Sequence, residues 1–103
     1  MAKFAVIGAL VAMVAQPVKA QPAHCPQAIV DVFGDRAPDA CYVAWRESSW
    51  RQYATGALGE KGYFQIHPVH PDSTYDPYGN AQAAYRLSQG GTNWCRHWRW
   101  TCY

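Results

Sequence analysis

The chain has 103 residues, half of them hydrophobic, with nine Lys and Arg against seven Asp and Glu and five Trp among its aromatics. A formal charge of +2 with no basic cluster speaks against nucleic acid and acidic membrane surfaces as partners, because both need concentrated positive charge; Arg96 and Arg99 are too few. The length admits one small domain with a limited core, of the size that usually needs covalent staples.

The first twenty residues place Lys3 before an unbroken apolar run from Phe4 to Ala15 and end on Val18-Lys19-Ala20. That order of charge, apolar run and small residues predicts a secretory signal peptide over 1–20 and a mature domain over 21–103. The run is about half of what a membrane-spanning helix needs, so no stable membrane anchor is expected. No Cys follows the cleavage position directly, which gives no support to lipid anchoring. Cleavage after Ala20 removes Lys3 and Lys19 and leaves seven basic against seven acidic side chains. The expected location is periplasmic or secreted, and the expected state is a monomer.

The first predicted helix runs from Pro26, favourable at a first helical position, to Phe33, with Ile29 and Phe33 on one face and Gly34 as its stop. A second begins near Pro38-Asp39, where an acidic residue suits the helix dipole, and ends near Trp50. From Tyr53 to Ile66 the glycines are too dense for a helix, so a turn-rich segment or short hairpin is expected to fold back over the end of helix two. His67 to Tyr75 reads as a Pro-punctuated loop. Asp76-Pro77 supplies a cap and first turn for a third helix, with Ala81, Ala84, Tyr85 and Ser88 inward and Gly90-Gly91 as the stop. The aromatic tail from Thr92 to Tyr103 fits neither helix nor coil by pattern.

All four Cys, at 25, 41, 95 and 102, lie in the mature part, and an even count in an exported chain predicts two disulfides with three possible connectivities. Cys lie near both ends, so at least one bridge is expected to tie the N-terminal helices to the Trp-rich tail. Zinc held by Cys95, His97 and Cys102 fits no paired Cys spacing, and His67, His70 and Asp72 are interrupted by Pro68 and Pro71; no metal and no cofactor are expected.

Ala40, Val43, Ala44 and Glu47 fall at i, i+3, i+4 and i+7 and share one helix face, which turns Glu47 inward. A carboxyl on an apolar face loses hydration in its charged form; its pKa rises and it becomes a proton donor near neutral pH. The stripe alone equally fits a solvated i to i+4 pair between Glu47 and Arg51.

The residues after Glu47 separate these readings. Glu47-Ser48-Ser49, Ala54, Gly59, Gly62, Gln65, Ile66 and Pro68 resemble, without a gap, the catalytic segment of lysozyme-like lytic transglycosylases, which are related to goose-type lysozyme. That pattern reads Glu-Ser-Ser, an Ala seven residues after the Glu, then Gly-Ala-x-Gly-Leu-Met-Gln-Ile-x-Pro. A second block, Tyr75-Asp76-Pro77 with Asn80 and an Ala-rich helix, resembles the segment that follows in the same family. Tyr63 and Phe64 stand where the family has Leu and Met, Arg51-Gln52 replaces Asn-Pro, and Glu60 replaces a small residue.

The resemblance implies an α+β, mostly α, lysozyme-like domain stapled by disulfides and acting on peptidoglycan glycan strands. It implies that Glu47 protonates the leaving oxygen between N-acetylmuramic acid and N-acetylglucosamine, then as a base activates the 6-hydroxyl of the muramic acid to close a 1,6-anhydro ring. Gln65 is the expected substrate-binding amide, with donor and acceptor groups, unless it satisfies loop backbone instead. Ser48 is a further candidate on the substrate side, helping to orient the donor, with a plain helix-surface Ser as the alternative. Tyr63, Phe64 and Tyr85 are candidates to line the cleft, with core packing as the alternative, and Gly59 and Gly62 for close backbone approach to a sugar, with an ordinary turn as the alternative. Trp50, Tyr53, Trp94, Trp98 and Trp100 supply flat apolar faces, of which one or two are expected to line subsites. Asn80 reads as an anchor for the loop. Two rivals remain: a muramidase using Glu60 as a second carboxylate, although the Gly-flanked position beside Lys61 favours exposure, and a non-catalytic cell-wall binding module.

Overall fold

The computed structural model describes residues 24–100; the expected signal peptide and Cys102 lie outside them. The described residues are mostly helical. Helix α1 (Gln27–Phe33) starts after Pro26, whose φ of −53° suits the N-cap position it takes, and stops at Gly34, where φ turns to +54°. A 3₁₀ turn at Gly34–Arg36, not foreseen from sequence, leads into α2 (Ala37–Ser48). Pro38 and Asp39 occupy the first turn of α2. The helix ends two residues before Trp50 because Ser49 and Trp50 both adopt left-handed conformations, at φ 54° and 60°. Helix α3 (Pro77–Leu87) is capped by the Asp76 side chain, which accepts from the Gly79 N–H at 2.8 Å.

Helix α1 packs against both α2 and α3. Ile29, Phe33, Ala37, Ala40, Val43, Ala44, Ala81 and Ala84 meet in the core, and the small side chains allow the helices to close on one another. Phe64 enters this core from the loop between α2 and α3 and is completely buried. Its ring stacks on Trp94 at 5.9 Å and lies 5.7 Å from Phe33, while the Trp98 indole N–H donates to the Phe64 carbonyl at 2.8 Å. The tail is thereby folded over the core by packing.

The segment joining α2 and α3 carries only two isolated antiparallel pairs, Thr55 with Lys61 and Lys61 with Ile66. The β component is smaller than the expected hairpin because Gly59, Gly62 and Gln65 take positive φ values and interrupt any ladder. No helix among the described residues is long and apolar enough to cross a membrane.

Two expectations need correction. Cys25 pairs with Cys41, so the bridge staples the start of α1 to α2 and neither of these cysteines reaches the tail. Cys95 is disulfide-bonded as well, which removes it as a zinc ligand. Tyr85 does not point into the core: it is 44% exposed, and its ring covers the edge of Phe33 at 5.4 Å. The aromatic ring is too large for the closely packed face that Ala81 and Ala84 share.

Candidate active site

Glu47 occupies the last turn of α2, where the apolar stripe reaches the edge of the core and the side chain is half-buried. Burial raises its carboxyl pKa above the ordinary 4.5; the charge of Glu60 adds to the rise and that of Arg46 opposes it. The carbonyl end of α2 is also an unfavourable place for a negative charge. Arg51 does not neutralise Glu47 across the helix turn; its Nε donates to the Ser48 carbonyl at 2.9 Å.

Ser48 locks this helix end to the loop. Its buried hydroxyl lies 3.0 Å from the Ala44 carbonyl and 2.8 Å from the Tyr63 carbonyl. Asn80, fully buried on α3, holds the same loop from the other side. Its Nδ2 donates to the carbonyls of Lys61 at 2.8 Å and Thr74 at 2.9 Å, and its Oδ1 accepts from the Phe64 N–H at 2.9 Å. Gly62 is needed at this junction: its φ is +78°, and a Cβ there would stand 2.6 Å from the Asn80 Nδ2.

So fixed, the loop brings Glu60 and Gln65 to a cleft of about 470 Å³ that Glu47 also lines. Glu60 is half-buried in the cleft wall, not projected into solvent, and its Oε1 accepts from the Leu58 N–H at 3.0 Å. The Gln65 amide nitrogen is spent on the loop itself, donating to the carbonyls of Ala54 at 3.1 Å and Gly62 at 3.0 Å. What Gln65 offers a ligand is therefore its carbonyl oxygen, as an acceptor. Gly56 lies against both side chains, and a Cβ there would run into the Glu60 Oε1 and stand 2.7 Å from the Gln65 Oε1.

Trp98 and Trp100 line the same cleft and supply its aromatic surface; Trp100 is 85% exposed. Trp50, Tyr53 and Trp94 do not line it. Trp50 is held away by donating its indole N–H to the Cys41 carbonyl at 2.9 Å. Of the side chains singled out in the sequence for catalysis or substrate contact, the structure thus joins Glu47, Glu60, Gln65, Trp98 and Trp100. Ser48, Tyr63 and Phe64 are buried behind them as packing and hydrogen-bonding groups, and Tyr85 stands outside. Gly59 keeps its turn at φ +88°, but Gly56 is the glycine at the cleft.

From the sequence, the histidines read only as candidate metal ligands, not as residues of the cleft. His67, His70 and His97 all line the cleft, although nothing in their spacing brings His97 to the other two. His67, His70 and Asp72 do not form a ligand set: His67 Nδ1 accepts from the Val69 N–H, and Asp72 is engaged by Arg86 through bonds of 3.0 and 2.8 Å.

Comparison of the chain with protein-family models, with curated proteins and with solved structures finds no match in any of the three. The cleft is thus read from its chemistry: a carboxyl whose pKa burial raises, an amide oxygen fixed through its own nitrogen, a second carboxylate and the exposed indole of Trp100.

Proposed function

We propose that the chain is an exported peptidoglycan-cleaving enzyme, a lytic transglycosylase with a lysozyme-like domain. The observation that carries the proposal is the half-buried Glu47 carboxyl, raised in pKa by burial and sharing a cleft with Gln65. Cleavage of a glycosidic bond requires a proton for the leaving oxygen and stabilisation of an oxocarbenium-like transition state. Glu47 supplies the proton. Its carboxylate then takes the proton of the muramic acid 6-hydroxyl, whose oxygen closes on the anomeric carbon and forms the 1,6-anhydro product. Gln65 accepts a hydrogen bond from a substrate amide or hydroxyl, and the exposed Trp100 presents an apolar face to a pyranose ring. The match of Glu47 to Pro68 with the family segment supports the substrate class, and the apolar N-terminus with the Cys25–Cys41 bridge supports export.

A hydrolytic reading is favoured by one observation: Glu60 lies in the same cleft and its charge acts on Glu47. In that reading Glu60 positions water for a muramidase. Digestion of purified peptidoglycan followed by mass spectrometry of the product ends separates the two. The transglycosylase yields 1,6-anhydro-N-acetylmuramic acid ends, and Glu60→Ala largely retains turnover. Reducing ends from the parent, lost together with activity in Glu60→Ala, would establish the muramidase instead.

A further inference from the structure

Glu47 and Glu60 share the cleft with three histidines, His67, His70 and His97. The His70 and His97 rings meet edge to face at 5.7 Å, and His97 is braced against Trp98 at 6.0 Å. An adjoining pocket of about 380 Å³ shares His70 and is walled by Pro71, Asp72 and Arg86. Arg86 commits two of its N–H groups to Asp72, so the donors left in this corner are the imidazoles and the remaining guanidinium N–H groups.

We infer that the His70–His97 corner binds a carboxylate carried on the muramic acid side of the substrate. The inference rests on the peptidoglycan reading above and names how that cleft tells its two sugars apart. N-acetylglucosamine is uncharged, whereas muramic acid carries a lactyl ether whose carboxylate is either free or extended into an acidic peptide stem. Like charge disfavours such a group beside the Glu60 carboxylate, while imidazole N–H groups can donate to it. Burial first, and then the positive charges of His70, Arg96 and Arg86, hold His97 below its ordinary pKa. A carboxylate there reverses the effect and draws a proton onto His97. The charged groups around the corner are Asp72 and Arg86 in their ion pair, Arg96, His67, and Glu47 and Glu60 in the same cleft.

The test uses the full chain carrying Glu47→Gln, so that ligands survive, with histidine ring signals followed by NMR across pH. Three probes are titrated: uncharged chitotetraose, a peptide-free N-acetylglucosaminyl-N-acetylmuramyl tetrasaccharide with lactyl carboxylates, and the same tetrasaccharide bearing tetrapeptide stems. We expect at least one carboxylate probe to raise the His97 midpoint by roughly one pH unit, with chitotetraose and the exposed His24 unmoved. Which probe does so identifies a lactyl or a stem carboxylate. By linkage that probe binds about tenfold tighter below the midpoint. His70→Gln and His97→Gln should lose this preference and keep the affinity for chitotetraose. Equal affinities for all three probes with an unmoved His97 midpoint would overturn the inference while leaving the glycan cleft standing. Absence of binding by every probe would remove both.

Discussion

Asn80 is the side chain on which the placement of the candidate site depends most. Replacing it with Ala removes the acceptor for the Phe64 N–H and the donors for the Lys61 and Thr74 carbonyls, all three bonds lying between 2.8 and 2.9 Å. Because Asn80 is fully buried, water cannot enter without opening the loop. Each bond contributes about 1 kcal/mol net, and a buried group left without a partner costs about 1 to 3 kcal/mol. The loss of three bonds therefore comes to roughly 3 to 5 kcal/mol, a large part of what a domain of this size has. Asn80→Asp keeps the acceptor but sets an oxygen against two carbonyls, so it should be no less damaging. The assay is urea denaturation, read beside amide hydrogen exchange at Phe64. Both variants should lower the unfolding free energy by that amount, and Phe64 exchange should accelerate ahead of α1 and α2. A change below about 1 kcal/mol in Asn80→Ala would refute the anchoring argument, because three buried bonds would then have been contributing almost nothing.

Reduction of the Cys25–Cys41 bridge, or Cys25→Ser with Cys41→Ser, opens a link of sequence separation 16 and should destabilise the fold by about 3 kcal/mol in calorimetry. Gly56→Ala places a methyl group against the carboxylate of Glu60 and the amide oxygen of Gln65, so muropeptide release should fall roughly tenfold to a hundredfold with little change in melting temperature. The raised Glu47 pKa gives a signed pH effect. The fold favours the protonated carboxyl, so its contribution is fully present below the unfolded value near 4.5 and is lost as pH rises through the higher folded value. Parent stability should accordingly decline relative to Glu47→Gln over that window in denaturation series run at successive pH values. Activity should decline over the same window, because the donor must hold its proton.

The helix boundaries were legible where one residue dictates geometry. Pro26 and Gly34 bracket α1, and Asp76-Pro77 begins α3, because ring closure, freedom at positive φ and a short carboxylate act locally. The stripe that turned Glu47 toward the core was legible for the same reason, since helical periodicity is a local property. The Cys25–Cys41 pairing was not: three connectivities are equally compatible with the spacing, and the choice is made by how α1 lies on α2. Tyr85 shared the period of Ala81 and Ala84, but period does not report whether a ring fits between closely packed helices. Glu60 looked exposed between glycines, yet the turn at Gly59 and its bond from the Leu58 N–H bring it to the cleft. His97 and Gly56 became site residues only through the packing of the tail over Phe64 and the folding of the loop over α2, contacts between positions far apart in the chain.

The role of Glu47 as proton donor of a glycan-cleaving cleft is decided by muropeptide release from purified peptidoglycan by the parent and by Glu47→Gln, with melting temperatures measured on the same samples. The parent should release muropeptides, and Glu47→Gln should lose at least about a hundredfold at a nearly unchanged melting temperature. Near-parent release by Glu47→Gln, or no release by a correctly folded parent, would contradict that role.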